Sequence, residues 1–488
     1  MDIGTKQPDQ ETKDHDGDLE FSQRFTEDPV LIRAILRKID LHLMVPLWII
    51  FAFGFLDRIN LGNVAVLGIV PELKLGKNGL NIALQVFFVP YILFDIPSNI
   101  LLKKFRPSTW ISILTFSWGI MCMCQGFVKS KGGLIACRFL LGVFEAGFVP
   151  GCAYLMSMYY RRYDFQKRFS LFWVAGLIAG AFGGLLAYAL YHMNGLSGYS
   201  GWRWIFIIEG LLAIAVALPA KFLIADWPDE AKFLTIEEKE YLQQIQSNDI
   251  STGETGVAQM NRLDAAAWKR ILTDWKVYVG GLVYLGITVS GYATALFIPS
   301  IVASLGYSGI EAQVHSIPVW IVAAVVTFGV SIATDRLKHR YGFIMFGVVF
   351  ASIGYIVLLC EEPVNTHVRY MAVFFVTVGC YIVQPVAVVW LANNFSGHYK
   401  RAVGLAIQIG FGNIGGIIAS NIFVSNEAPR YFVGYGVSLA MMIFCGIMSS
   451  VYAFGLTVEN KRRAEGKLDD RLQLSNIGDD DPRFRFTL

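Results

Sequence analysis

Residues 41–65 read LHLMVPLWIIFAFGFLDRINLGNVA, an apolar stretch that carries an aspartate and an arginine side by side. A helix needs about 20 apolar residues to cross a bilayer, and this stretch is long enough. Eleven further stretches of similar character follow it, so the chain is predicted to cross the membrane twelve times. The predicted spans are residues 41–65, 80–102, 109–128, 134–159, 169–192, 203–225, 275–303, 313–334, 341–360, 368–392, 401–425 and 432–458.

The composition of the chain is that of an integral membrane protein. Of its 488 residues, 55% are hydrophobic and only 16% are charged, which is far from the surface chemistry of a soluble domain. The net charge is +3, and the lysines and arginines are scattered between the apolar stretches, so nucleic acid is excluded as an expected partner. The seven cysteines are also dispersed, which predicts packing roles and neither a disulfide framework nor a metal site.

The order of the spans predicts two bundles. Six spans precede the polar segment 226–273, and six follow it. That segment contains Thr235-Ile-Glu-Glu238, a capping box that predicts a charged helix, and we interpret it as a linker. The predicted fold is an all-α membrane protein with twelve transmembrane helices in two six-helix bundles. Its predicted regions are an N-terminal tail (1–40), a first bundle (41–225), the linker (226–273), a second bundle (274–458) and a C-terminal tail (459–488).

The positive charges in the short loops predict the orientation of the chain. Loops on the side of the N-terminus carry twelve lysines and arginines, and the opposite loops carry six, or seven with Arg203 at a helix edge. Cytoplasmic loops are enriched in these residues. Both termini and the linker are therefore predicted to be cytoplasmic.

Four charged residues are predicted to lie at membrane depth, namely Asp57 and Arg58 in the first span and Arg138 and Glu145 in the fourth. Each costs roughly 2.5–3.5 kcal/mol to insert, so their presence indicates a charged substrate, a coupling ion or both. The rise per residue places Arg58 and Glu145 at a similar height, about 20 Å from the cytoplasmic side. An ionised carboxylate pairs with arginine, whereas a protonated one leaves the arginine free for a substrate.

These residue types predict a division of roles. Arginine presents a fork that matches a carboxylate, so Arg58 is predicted to bind substrate, with Asp57 and Glu145 as proton carriers. The alternative is a set of ion pairs that lock the first and fourth spans together. The second half offers neutral donors and rings at membrane depth instead of charges. We predict that Tyr292, Gln408 and Asn413, together with Asn60, contact the substrate, although a neutral polar or aromatic residue in the second half is more often an interhelix hydrogen bond or an interfacial aromatic than a ligand contact.

The loop after the eighth span, Ser331-Ile-Ala-Thr-Asp335-Arg336-Leu-Lys-His-Arg340, resembles a signature of the major facilitator superfamily. The resemblance implies a cytoplasmic latch formed by Asp335, Arg336 and Arg340, and we assign Arg138 to gating as well. The corresponding loop of the first half departs from the signature, because Leu102 replaces the acid and Arg106 replaces the usual glycine.

More specific stretches resemble the anion:cation symporter family, in particular its fungal branch of allantoate, nicotinate and vitamin permeases. They are Phe55-Leu-Asp57-Arg58-Ile-Asn60-Leu-Gly-Asn63, Ile96-Pro-Ser-Asn99, Arg138-Phe-Leu-Leu-Gly142-Val-Phe-Glu145-Ala-Gly147, Gly201-Trp-Arg-Trp-Ile-Phe-Ile-Ile-Glu209-Gly210, and Gly397-His-Tyr-Lys400-Arg401-Ala-Val-Gly404 running to Gly412-Asn413-Ile-Gly415-Gly416.

The resemblance implies proton-coupled symport of a small organic anion across a fungal plasma membrane. It also implies that Arg58 engages the carboxylate of the substrate and that Asp57 and Glu145 take the protons. We predict a monomeric transporter in the lipid bilayer that imports a nicotinate-like or other heterocyclic carboxylate by alternating access. No motif of an enzyme and no cofactor site appears in the sequence. The alternatives are a nutrient sensor that binds a similar anion, and an exporter or facilitator of a neutral metabolite.

Overall fold

The computed structural model describes residues 29–76, 78–160, 162–250, 265–307, 309–337, 339–360, 365–396, 398–423, 427, 430–473 and 478–488. Within these residues every regular element is helical. The α-helices are α1 (Pro29–Ile39), α2 (Val45–Ala65), α3 (Ile69–Glu72), α4 (Gly79–Lys104), α5 (Pro107–Gln125), α6 (Lys131–Glu145), α7 (Phe148–Tyr159), α8 (Arg162–Tyr191), α9 (Gly201–Leu223), α10 (Ile236–Ile250), α11 (Ala265–Thr273), α12 (Trp275–Ser304), α13 (Gly309–Leu337), α14 (Arg340–Leu359), α15 (Thr366–Asn393), α16 (His398–Ile422) and α17 (Phe432–Ala464).

Twelve membrane-crossing helices form two bundles of six. Eleven described segments are long and apolar enough to cross a bilayer. The remaining span is α5, which contains several hydroxyl residues and packs along α9. The Ser112 and Thr115 hydroxyls donate to backbone carbonyls one turn earlier in α5, at 2.7 and 2.8 Å, so the helix satisfies its own polar groups.

The two bundles meet along matching helices. α8 of the first bundle packs against α13 of the second, and α4 packs against α16. α2 and α12 approach each other more locally, where Gly62 faces the Leu296 carbonyl. We call the end of the bundles that carries α10 the linker face and the opposite end the far face.

The fourth span is broken in two, where the sequence predicted one continuous helix over 134–159. α6 ends at Glu145, Ala146 has an extended ψ of 137°, and α7 starts after Gly147. Gly147 has a φ of +77°, a conformation that glycine adopts without steric cost. A Cβ atom at this position would also overlap the side chain of Ser98. Glu145 is therefore the last residue of a half-helix inside the membrane region.

Residues 29–44 and the described part of the linker form helices that contact one another. Helix α1 and a π-helical segment, Asp40–Met44, continue directly into α2, although residues 1–40 were predicted as a tail. In the linker, the Thr235 amide donates to Glu238 at 3.0 Å and the Glu238 amide donates to the Thr235 hydroxyl at 3.2 Å, which confirms the predicted capping box. Lys38 pairs with Glu238 at 2.5 Å and so joins α1 to α10.

The close approach at Gly62 gives a testable consequence for stability. The substitution Gly62→Ala is expected to lower the free energy of unfolding by about 1–3 kcal/mol, because the new methyl group would overlap the Leu296 carbonyl on the neighbouring bundle. Thermal unfolding of the purified protein measures the change. Gly329→Ala is the matched control, since Gly329 is also helical and its Cβ position meets nothing within 4 Å. Equal unfolding temperatures for the two variants would contradict the close contact.

Candidate functional site

A chain of polar contacts crosses from the first bundle to the second at mid-depth. Nη2 of Arg58 on α2 pairs with Oε1 of Glu145 at the end of α6. Nη1 of Arg58 donates to the Tyr292 hydroxyl on α12 at 2.9 Å, and that hydroxyl donates to Oδ1 of Asn413 on α16 at 3.1 Å. The Arg58 and Glu145 side chains are only 9% and 3% exposed. The fork of one arginine therefore joins a carboxylate of its own bundle to a hydroxyl of the other.

Aromatic rings surround the Arg58 guanidinium. Its carbon lies 5.2 Å from the ring centre of Tyr91, 5.4 Å from that of Phe87 and 5.8 Å from that of Tyr292. Phe88 packs edge-on against Tyr292 with ring centres 4.9 Å apart. Rings at these distances attract a cation and keep water away from it. The guanidinium is thus held in place by contacts that do not use up its hydrogen-bonding capacity.

The contact between Arg58 and Glu145 is incomplete on both sides. Nε of Arg58 and Oε2 of Glu145 are buried and have no hydrogen-bond partner among the described residues. A guanidinium can form two parallel hydrogen bonds with a carboxylate, so this pair uses part of what it could form. One donor and one acceptor therefore remain at the centre of the site.

A second polar cluster lies inside the first bundle, behind Arg58. The Cys122 thiol donates to Oδ1 of Asp57 at 3.0 Å, and Nη1 of Arg138 donates to the Asp57 backbone carbonyl at 3.4 Å. The Asn60 amide donates to Glu209 on α9. Oδ2 of Asp57 and Oε1 of Glu209 are buried without a partner in the described part of the chain. Nε and Nη2 of Arg138 are buried without a described partner as well, so the cluster holds both donors and acceptors that form no hydrogen bond.

Buried carboxylates outnumber buried arginines at this depth of the first bundle. The carboxylates are Asp57, Asp95, Glu145 and Glu209, and the arginines are Arg58 and Arg138. With every group ionised, these six buried side chains would carry a net charge of minus two. Buried uncompensated charge is costly, and carboxylates avoid it by holding protons.

The structure places the predicted substrate contacts in two different environments. Tyr292 and Asn413 lie on the chain of contacts from Arg58. Asn60 does not reach that chain, because it points to Glu209 inside the first bundle. Gln408 donates to the Ala387 carbonyl on α15 at 3.1 Å and is buried in the second bundle. Neither Asn60 nor Gln408 contacts Arg58 in this conformation.

The residues assigned to gating are also separated. Arg138 is 1% exposed inside the first bundle, where its guanidinium carbon lies 5.8 Å from the Phe206 ring centre. Arg340 is buried at the linker face, at the start of α14, whereas Arg336 is exposed. The side chain of Asp335 falls outside the described part of the structure. A latch between these loop residues therefore stays a prediction.

Two residues of the inner cluster were not expected from the sequence. Cys122 was interpreted as a packing residue, and it donates to Asp57 instead. Glu209 accepts from Asn60, whereas Arg203, six residues earlier in the chain, pairs with Glu72 at 2.9 Å. Asp57 and Asn60 are three residues apart on one side of α2, which is the sequence signal that could have linked both to the same inner face.

The site is closed at both ends. Toward the far face, the Asn81 amide on α4 donates to the Ser420 carbonyl on α16 at 2.6 Å. Toward the linker face, Nη1 of Arg401 on α16 donates to the Ser157 carbonyl on α7 at 3.4 Å. Between these closures, Nε1 of Trp173 donates to Oε1 of Gln384 across the bundles at 3.0 Å. The contacts of Arg58 are therefore enclosed between two sets of contacts that join the bundles.

Comparisons with known proteins agree with this architecture. The family model of the Major Facilitator Superfamily matches residues 47–420. A protein of Schizosaccharomyces pombe described as an uncharacterized transporter is 33% identical over 455 residues, which cover 93% of this chain and 89% of that protein. The high-affinity nicotinic acid transporter of Saccharomyces cerevisiae is 29% identical over 438 residues, covering 88% of this chain and 79% of that protein.

A solved structure shares the fold at low sequence identity. It is a bacterial homologue of the human lysosomal transporter Spinster, in an inward-facing and unoccupied conformation. The TM-score is 0.59 and the identity is 17%, with 88% of this chain and 97% of that chain covered. At this identity the likeness concerns the fold alone, and it agrees with twelve helices in two bundles.

Proposed function

This chain belongs to the major facilitator superfamily, and we propose that it is a proton-coupled symporter that imports a small organic anion by alternating access. The observation that carries the proposal is the position of Arg58, shared between Glu145 of its own bundle and Tyr292 of the other. Such a cation can exchange its carboxylate partner for a substrate while both bundles remain in contact with it.

The proposed binding step is an exchange of carboxylates on Arg58. When Glu145 takes a proton, its attraction to the guanidinium falls and the fork becomes available. The carboxylate of the substrate then accepts from the two Nη atoms, or from one of them and the free Nε. Release of the proton from Glu145 restores the original pair and expels the substrate. Binding of the anion and protonation of Glu145 therefore favour each other.

The excess of buried carboxylates supports the use of protons. With all of its buried carboxylates ionised, the first bundle would carry net negative charge, and a bound monocarboxylate would add one more. Glu145 is the proposed carrier nearest to Arg58. Asp57, with one oxygen held by Cys122 and the other without a partner in the described chain, is the second proposed carrier.

The second bundle would hold the uncharged part of the substrate. The Tyr292 hydroxyl faces Arg58, and Nδ2 of Asn413 is buried with no acceptor in the described structure. Together with the rings of Phe88 and Tyr91, these groups suit a flat heterocyclic acid such as nicotinate. The relative named as a nicotinic acid transporter supports this choice. We further propose a location in the fungal plasma membrane with the linker face in the cytosol.

Uptake by transporter-deficient yeast cells tests the proposal. Labelled nicotinate, pantothenate, biotin and allantoate are offered at acidic external pH, with and without a protonophore. We expect one of the carboxylates to accumulate against its gradient and the protonophore to abolish that accumulation. Competition by the neutral amide of the same substrate is expected to be weak, since an amide offers the Arg58 guanidinium one oxygen and no negative charge. Accumulation that survives the protonophore, or equal competition by the amide, would argue against the proposal.

A further inference from the structure

The segment 478–488 is folded into the linker face of the second bundle, although it was predicted as part of a tail. It begins with a single helical turn, Gly478–Asp480. It then runs beneath the ends of the helices as far as α14, where the Arg340 amide donates to the Leu488 carbonyl at 2.8 Å. Asp479, Phe484 and Phe486 of this segment are buried. The segment is therefore packed against the bundle and is not a solvent-exposed tail.

Asp479 occupies a cage of four buried charges. Its carboxylate lies 2.9 Å from Nζ of Lys400 on α16 and 3.2 Å from Nζ of Lys276 on α12. Asp274, just before α12, contacts the same two lysines at 2.6 and 3.0 Å. The four side chains are at most 5% exposed. The cage is neutral only while Asp479 is present.

The charges of the cage are stabilised by one another. Burial would raise the pKa of the Asp479 carboxyl, but the charges of Lys400 and Lys276 outweigh it and hold that pKa below its usual value. Burial likewise lowers the pKa of Lys400, and Asp479 and Asp274 more than reverse this. The two lysines therefore favour the ionised form of the Asp479 carboxyl in the bound segment.

The bundle also binds the backbone of the segment as it would bind a peptide. Asn394 donates from Nδ2 to the Thr487 carbonyl at 3.1 Å and accepts the Thr487 amide at 2.8 Å. Asn460 forms the same pair of bonds with Phe486, both at 2.9 Å. Arg463 donates to the Phe484 carbonyl at 2.9 Å, and its guanidinium carbon lies 4.2 Å from the Phe486 ring centre. Paired amide bonds of this kind fix the register of a bound strand.

These contacts connect the ends of the helices that line one side of the linker face. Lys276 belongs to α12, Asn394 follows α15, Lys400 belongs to α16 and Arg463 to α17. The neighbour of Lys400, Arg401, makes the contact to Ser157 that closes the linker face between the bundles. The segment is therefore attached to the same turn of α16 that holds the two bundles together on this side.

We propose that the linker-face end of the second bundle is a binding site for an acidic and aromatic peptide segment, and that residues 478–488 occupy it when the linker face is closed. Opening of this face breaks the contact between Arg401 and Ser157, and the segment holds Lys400, on the same turn of α16, in the place that this contact requires. A ligand that binds one conformation better shifts the population toward it. The bound segment thus favours closure at the linker face. This inference requires transport of some substrate, and it is independent of the charge of that substrate.

The test uses the full chain with Ser157→Cys as a reporter of opening, because Ser157 is 6% exposed in the closed structure. The rate of maleimide labelling at position 157 is read by mass spectrometry of the purified protein. We expect Asp479→Asn to increase this rate about fivefold or more, since the cage loses its neutrality and the closed population falls. Glu465→Gln is the control, as Glu465 is a partly exposed carboxylate at the end of α17 that pairs with Lys467 at 2.6 Å outside the cage.

Two further readouts separate opening from loss of fold. The native Cys380 and Cys445 are buried within the second bundle, and both must stay unlabelled in Asp479→Asn. In a second experiment, a chain that ends at residue 477 is mixed with the labelled peptide GDDDPRFRFTL. We expect saturable binding, and binding about tenfold weaker for the peptide with asparagine in place of Asp479. An unchanged labelling rate at position 157 in Asp479→Asn would overturn the proposal, as would equal affinity of the two peptides.

Discussion

Replacement of Arg58 by lysine is expected to reduce uptake efficiency by roughly 10- to 100-fold, although the positive charge is kept. Two different nitrogens of Arg58 contact Glu145 and Tyr292, and they point to opposite sides of the gap between the bundles. A single ammonium group cannot reach both partners and cannot offer a carboxylate two parallel bonds. Arg58→Ala is expected to be more severe, because it leaves Glu145 buried without its partner at a cost of about 3–5 kcal/mol.

Initial uptake rates at several substrate concentrations measure this effect, with surface expression determined in the same cells. Arg106→Lys is the matched control, since Arg106 is exposed and pairs with Glu230 at the surface. Uptake by Arg58→Lys equal to that of the control would remove the arginine fork from the mechanism. A loss that is entirely explained by low expression would instead assign Arg58 to folding.

The second large effect is expected for Glu145→Gln, which should separate binding from proton-driven accumulation. Glutamine occupies the same space, and its amide oxygen still accepts from Arg58, but the side chain carries no titratable proton. Substrate would therefore bind and exchange, while the coupling between protonation and binding is lost. Accumulation against a gradient is expected to fall to the level seen with a protonophore, whereas exchange of labelled for unlabelled substrate continues.

Reconstituted vesicles allow both readouts on one preparation, with an imposed pH gradient for accumulation and preloaded substrate for exchange. Glu230→Gln serves as the control, because Glu230 is a half-exposed carboxylate at the linker face. Normal accumulation by Glu145→Gln would show that another group, such as Asp57, carries the proton. Loss of exchange together with accumulation would show that Glu145 positions Arg58 and does not carry a proton.

The fold and the central pair of residues could be predicted from the sequence, because they depend on quantities that the sequence contains. The length of apolar stretches fixes the number of spans, and the rise per residue placed Arg58 and Glu145 at one height, where the structure has them in contact. Height is a single coordinate. The direction in which a side chain points around its helix is a second one. Asn60 is two residues from Arg58, about 200° around α2, so it faces Glu209 and not the gap between the bundles.

The features that sequence reasoning missed depend on partners far along the chain. Lys400 was counted among the loop charges and quoted in a family stretch, but no partner could be assigned to it, because Asp274 and Asp479 are distant in sequence. The acidic run Asp479-Asp480-Asp481 resembles a solvated tail when it is considered without its lysines. The break after Glu145 depends on the backbone of one glycine, and many transmembrane glycines keep a regular helix. None of these features produces a periodic pattern.

The two halves of the broken fourth span contact different bundles. α6 packs against α4 within the first bundle, whereas α7 reaches across to α16 in the second. Glu145 is the last residue of α6. A change in its charge therefore occurs where the half-helix that packs in the first bundle meets the half-helix that contacts the second. The charge of Glu145 therefore lies at the break that separates the half-helix packed in its own bundle from the half-helix whose Ser157 carbonyl contacts Arg401 of the other bundle.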